Sequence, residues 1–147
     1  YLGMALPFSL AQEERWFENL QDRLEKRELV ALTIETSDGT CIGNISLFDI
    51  RWKDRCAELG VAIEDKSYWN RGFGTDAVHT MLLVAFHDLN LHRVFLRVHA
   101  DNGRGIRCYE RAGFRKEGTL QESVFRDGAY QDMVIMGILA SEYGSRS

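Results

Sequence analysis

Tyr68-Trp69-Asn70-Arg71-Gly72-Phe73-Gly74-Thr75-Asp76-Ala77 is the stretch on which the fold turns. It follows the apolar run Leu59-Gly60-Val61-Ala62-Ile63 and opens a segment in which Val78, Met81, Leu82, Ala85, Phe86 and Leu89 recur at helical spacing. A strand, a glycine-bearing turn and a helix start, in that order, make a place where phosphate is held. The N–H groups of a first helical turn have no partner within the helix, the helix dipole adds partial positive charge there, and glycine opens the backbone to close approach. The same glycines also read simply as a tight turn at positive φ. No Lys-Ser/Thr pair follows them, which sets a P-loop aside, and no third glycine completes a dinucleotide fingerprint. What remains is a cradle of backbone with Arg71 as its only nearby cation.

A second stretch lies about thirty residues downstream. Val98-His99-Ala100-Asp101-Asn102 ends a strand, and Gly103 to Ala112 reads as a short helix closed by Gly113 before Phe114 begins another strand. The run Asn102-Gly103-Arg104-Gly105-Ile106-Arg107-Cys108-Tyr109-Glu110-Arg111-Ala112-Gly113-Phe114, taken with the first stretch, strongly resembles the GNAT superfamily of acyl-coenzyme A N-acetyltransferases. In that family Q/R-x-x-G-x-G/A carries the pyrophosphate, and N-x-x-A-x-x-x-Y-x-x-x-G-F carries the pantetheine arm and the catalytic tyrosine. Two positions depart from the pattern. Trp69 stands where many members have Gln, as in the branch resembling ribosomal-protein N-terminal (alanine) and polyamine acetyltransferases, and Gly105 replaces the usual Ala. A glycine inside so short a helix costs roughly 1 kcal/mol against alanine. The resemblance runs from about Phe8 to Leu139 and includes Phe125 to Asp132, similar to the closing hairpin of that branch.

The resemblance implies two parallel strands that splay apart with acetyl-coenzyme A in the gap. Val61 and Ile63 are then expected to pair with the pantetheine through their backbone. Asn70, Arg71, Gly72, Phe73, Gly74 and Thr75 are expected to hold the pyrophosphate, and Asn102 and Arg107 to bind the coenzyme from the other side. Asn102 also reads as a helix N-cap, and the two roles are compatible. Tyr109 falls at the family's general-acid position, where it would protonate the departing thiolate; the alternative is a structural tyrosine. An amine must lose a proton before it attacks, so a base is needed. Glu58 resembles the glutamate found on this strand in related enzymes and is the first candidate, against an ordinary solvated carboxylate. Glu64 and then Asp49 follow, and His99 is the histidine to test. No Cys or Ser nucleophile is required for direct attack in a ternary complex.

The 147 residues have the size of one domain, residues 1–147, and the chain starts at Tyr1 without an initiator Met, so an upstream element is expected to be missing. Composition is that of a soluble globular protein, 45% hydrophobic and 27% charged. No apolar run approaches the ~20 residues that span a bilayer, and the expected location is the cytoplasm. A net charge of −4 speaks against a general affinity for nucleic acid and is compatible with a cationic amine. Cys41, Cys56 and Cys108 are odd in number and lack metal-site spacing, so free thiols and no metal are expected.

In chain order, Leu10 to Arg27 reads as an amphipathic helix capped by Ser9, flanking the acceptor groove in the family. Leu29 to Thr36 and Cys41 to Ile50 read as a hairpin, Cys56 to Ile63 and Arg93 to His99 as the parallel strands of a β-α-β unit, and Phe114 to Phe125 with Tyr130 to Leu139 as a hairpin around Asp127-Gly128. The tail from Ala140 is expected to fray. The fold expected is α+β: a mixed, mainly antiparallel GNAT-like sheet with helices on both faces and a central β-α-β acyl-coenzyme A site. The leading function is acetyl transfer to a protein or peptide N-terminal amine. The alternatives are a small amine of polyamine or aminoglycoside type, a silent acyl-coenzyme A binding module, and a nucleotide-phosphate binder. The resemblance leaves the oligomeric state open, homodimers being frequent in the family.

Overall fold

A computed structural model describes residues 29–144. Six strands form one sheet: β1 (Val30–Glu35), β2 (Cys41–Arg51), β3 (Cys56–Ile63), β4 (Arg93–His99), β5 (Arg115–Arg126) and β6 (Ala129–Leu139). Their order is β1-β2-β3-β4-β6-β5, and every pairing is antiparallel except that of β3 with β4. The expected mixed, mainly antiparallel α+β architecture is the one found. Among the described residues three α-helices accompany the sheet: α1 (Phe73–Leu83), α2 (Gly103–Ala112) and the short α3 (Ala140–Gly144). The helix expected over Leu10 to Arg27 lies outside the described residues.

The strands form where apolar and polar residues alternate, and irregularities in the alternation become irregularities in the ladder. On β2 the buried positions are Ile42, Ile45, Leu47 and Ile50, which steps by three twice. The register shifts opposite Ile34/Glu35 and again between Phe48 and Arg51, where Asp49 takes a φ of 52°. Each bulge flips the side-chain phase once, so all four apolar residues reach the core.

Helix α1 buries Val78, Met81 and Leu82 on one stripe. Its last turn, Val84–Asp88, widens to π spacing, with Leu89 N–H donating to the Val84 carbonyl at 2.9 Å, and Asn90 at φ 56° ends it. Met81, Leu82, Ala85, Leu47, Val94, Met136 and Ile138 are fully enclosed, and they join helix to sheet in a single core.

The tail does not fray from Ala140. Leu139 N–H donates to the Glu142 carboxylate at 3.0 Å, Arg115 pairs with the same carboxylate at 2.9 Å, and Tyr143 sits 5.4 Å, ring to ring, from Phe86. Arg115 and Phe86 are distant in sequence from the tail, which is why a small, polar tail reads as loose before the fold is known.

The parallel pairing positions everything that follows. β3 and β4 pair only at Cys56↔Arg93, Ala57↔Val94 and Glu58↔Phe95. Beyond that rung β3 continues to Ile63 on β2, while β4 continues to His99 on β6. The two strands part, and a gap opens in the middle of the sheet.

Candidate active site

The near bank of the gap is the turn between β3 and α1. Asp65 accepts Ser67 N–H at 2.9 Å and starts a 3₁₀ turn, Lys66–Tyr68; that bond holds the carboxyl below its usual range. Trp69 then donates its indole N–H to the Ile63 carbonyl at 2.8 Å, pinning the turn to the end of β3. Asn70 (φ 61°) and Gly72 (φ 87°) take left-handed backbone, and α1 begins. Gly72 caps α1 with no side-chain hydrogen bond, so the first-turn N–H groups are left for an anion. A Cβ at Gly74 would lie in ordinary contact with Cys108 Sγ at 3.7 Å and Ile63 at 3.8 Å. The protein's own packing does not demand a glycine there; its absent side chain leaves backbone bare toward the gap, as a phosphate cradle requires.

The far bank is α2. Asn102 Oδ1 accepts Gly105 N–H at 3.0 Å, the expected N-cap. A Cβ at Gly105 would come 2.6 Å from Asn102 Nδ2, the end of a flexible side chain, so the capping amide would have to shift to admit it. Two turns along, Tyr109 is 5% exposed, with its ring edge-on to Phe114 at 6.0 Å. Burial, and then the neighbouring Cys108, raise its phenol pKa well above the ordinary value of 10.0. It therefore enters neutral pH as a protonated donor. Cys108 Sγ and Thr75 Oγ1 lie 3.4 Å apart and tie α2 to α1.

Between the banks runs a groove of about 560 Å³. Among the residues singled out by sequence, Val61, Ile63, Asn70, Gly72, Gly74 and Thr75 line it from the near bank. Asn102, Arg107 and Tyr109 line it from the far bank, and Glu64 stands at its rim. Arg71 and Phe73 are not part of its wall. The Arg71 guanidinium lies over the rings of Tyr68 (5.3 Å) and Phe73 (5.5 Å), and those rings meet edge to face, so the three brace the turn, with Tyr68 also lining the groove. Glu58 is buried but lies below the groove, paired with Arg97 at 3.0 Å on the last rung before the strands part. The strand's second face is covered, so the reading of Glu58 as a solvated carboxylate is corrected. Asp49 sits on the β2 bulge beside Arg51, and His99 is buried near Arg126 and Asp101, its pKa lowered by burial and then by Arg126; neither reaches the groove.

The cation inventory also differs from expectation. Arg71 is not the only cation near the cradle, because Lys66, Arg104, Arg107 and Arg111 line the groove. Arg104, Arg107 and Arg111 are spaced three and four apart, the spacing of one helix face, and that signal was present in the sequence. Among the described residues none of these four has a carboxylate partner. A bare helix N-terminus and four unpaired cations around one groove suit a polyphosphate ligand, and the residues present fit the coenzyme that the resemblance implies. Among the described residues no cluster of His, Cys, Asp and Glu has the form of a metal site, and no helix is long and apolar enough to cross a membrane.

Comparison with known proteins agrees with this geometry. The family profile described as an acetyltransferase (GNAT) domain matches residues 1–115. A spermidine N(1)-acetyltransferase of Vibrio cholerae is 33% identical over 135 residues, 92% of this chain and 75% of the relative. A chimera of Vibrio cholerae spermidine N-acetyltransferase SpeG and hSSAT superposes with a TM-score of 0.89 at 29% identity, over 99% of this chain and 86% of that one. The Vibrio cholerae spermidine N-acetyltransferase crystallised with CoA and spermine superposes with a TM-score of 0.84 at 29% identity, over 93% and 79% of the two chains.

Proposed function

Because this chain belongs to the GNAT acetyltransferase family and is an acetyl-coenzyme A dependent N-acetyltransferase, we propose that its acceptor is the primary amine of a polyamine. The observation that carries the proposal is the similarity to a spermidine acetyltransferase along nearly the whole chain. A protein or peptide N-terminal amine, the leading expectation from sequence, gives way to its alternative on that ground. The net charge of −4 is in keeping with a polycationic acceptor.

Acetyl-coenzyme A supplies an activated acetyl thioester. The first-turn N–H groups of α1 and the guanidinium of Arg107 are assigned to its phosphates, and the backbone of Val61 and Ile63 with the Asn102 amide to its arm. The Ile63 carbonyl already accepts from Trp69, so its second lone pair is the one left to the ligand. Tyr109 is assigned as general acid: its buried, protonated phenol faces the groove and gives a proton to the departing thiolate. Glu58 is assigned as proton acceptor for the ammonium, reached through the foot of the gap. It is the one carboxylate buried among the described residues and it sits where β3 and β4 separate.

The test is thiol release from acetyl-coenzyme A across spermidine, spermine, aminoglycosides and short peptides, with Tyr109→Phe alongside. Release that depends on polyamines and collapses in the variant is the expected result. Release with peptides and none with polyamines would overturn the acceptor assignment while leaving the acetyltransferase intact.

A further inference from the structure

One contact joins the two banks of the groove. Trp69 belongs to the turn after β3 and Arg104 to the first turn of α2, after β4, and both line the groove. The Arg104 guanidinium carbon lies 3.3 Å from the centroid of the Trp69 ring, stacked on the indole face. The two halves of this contact are held very differently. Trp69 is fixed to β3 through its hydrogen bond to Ile63, and Lys66 approaches the same ring at 5.6 Å. Arg104 has no carboxylate partner among the described residues, and burial, then the like charge of Arg107, disfavour its charged form. The guanidinium is thus held by the indole face alone among the described residues, whereas the indole is anchored to β3. A stacked guanidinium still points its N–H donors outward in its own plane, and a phosphate offers it charge-assisted, bidentate hydrogen bonds that a π face cannot.

We propose that Arg104 is a specificity-determining latch on the coenzyme groove, which exchanges the face of Trp69 for a phosphate of the coenzyme as the ligand enters. Arg107 and Arg111 share the helix face but make no such ring contact among the described residues, so the exchange is assigned to Arg104. The phosphate is either the diphosphate or the adenosine 3′-phosphate. The inference concerns the coenzyme side only and does not depend on which amine is the acceptor.

The test reads binding. Coenzyme A, and dephospho-coenzyme A lacking the 3′-phosphate, are titrated into wild type, Arg104→Ala and Trp69→Phe, following heat and tryptophan emission. Coenzyme A should change the emission of wild type, and the change should vanish in Trp69→Phe. Arg104→Ala should weaken coenzyme A about tenfold, as loss of one charge-assisted hydrogen bond does, with a shallower salt dependence than wild type. Equal loss for both ligands assigns Arg104 to the diphosphate, and loss confined to coenzyme A assigns it to the 3′-phosphate. An Arg104→Ala protein that melts with wild type and binds coenzyme A within twofold of it overturns the proposal. So does binding that leaves Trp69 emission unchanged, a measurement that needs no Arg104 variant to fold. Since no acceptor is present, failure of polyamine turnover leaves both outcomes readable.

Discussion

Glu58 and Arg97 meet at 3.0 Å where β3 and β4 cease to pair, so an ion pair marks the foot of the gap in the sheet. The glutamate is buried and the arginine side chain is 52% exposed, so the pair is solvent-screened on one side and contributes no more than about 1 kcal/mol. Glu58→Gln keeps an oxygen for Arg97 and removes the charge. If Glu58 accepts the ammonium proton, kcat should fall about a hundredfold, with a melting temperature within a few degrees of wild type. Steady-state rates and a melt on the same preparation check this, and full activity in Glu58→Gln would move the role to Glu64.

Tyr109→Phe should lower kcat about a hundredfold or more while leaving coenzyme binding in place, because the ring against Phe114 is retained. The raised phenol pKa has a further consequence for stability. In the unfolded chain the phenol ionises near 10.0, whereas the fold keeps it protonated above that pH. Stability is therefore full below pH 10 and is lost as the pH rises beyond it. Denaturant unfolding of wild type and variant at pH 8 and pH 10.5 should show the alkaline loss diminished in Tyr109→Phe.

Gly105→Ala sets two terms against each other. Alanine gains roughly 1 kcal/mol of helix propensity, and its Cβ displaces the Asn102 amide from a cap worth about 1 kcal/mol. Net stability should change by less than about 1 kcal/mol. Asn102→Ala alone, which loses the cap without the propensity gain, should be the less stable of the two in chemical denaturation.

Gly137 makes room for an ion pair. Across it the Arg93 guanidinium grips both oxygens of Glu117, one at 2.7 Å, and a Cβ at 137 would overlap that pair. Arg93 holds the Glu117 carboxyl below its ordinary pKa of 4.5, first through the hydrogen bond. The pair's contribution is thus present above that value and is lost as the pH falls through the lower, folded one. Glu117→Gln should show a shallower loss of stability between pH 5 and pH 3 than wild type. Both side chains are about a third exposed, so the difference should be about 1 kcal/mol or less.

Much of this molecule was legible from local pattern. The short helix has the bounds read from Asn102 and Gly113, and β3 and β4 have the bounds read from alternation, because caps and period-two burial are written in neighbouring residues. What local pattern could not show depends on residues far apart. The parting of β3 from β4 came from family resemblance, since nothing in either strand's own alternation requires it. The covered face of Glu58, the anchoring of α3 by Arg115 and Phe86, and the meeting of Trp69 with Arg104 are all products of the folded chain. The packing of Arg71 was hidden for a related reason: closeness in sequence to the cradle said nothing of the rings of Tyr68 and Phe73 over which its guanidinium lies.

The four cations of the groove, none with a carboxylate partner among the described residues, set the groove apart electrically. Set them aside, and the rest of the chain carries fourteen basic and twenty-two acidic side chains. A positive furrow in a chain of net negative charge steers a polyanion to one place, while the polycationic acceptor proposed above is attracted by the remaining acidic excess. Added salt screens both attractions together, and association of coenzyme and of amine should slow in parallel as ionic strength rises.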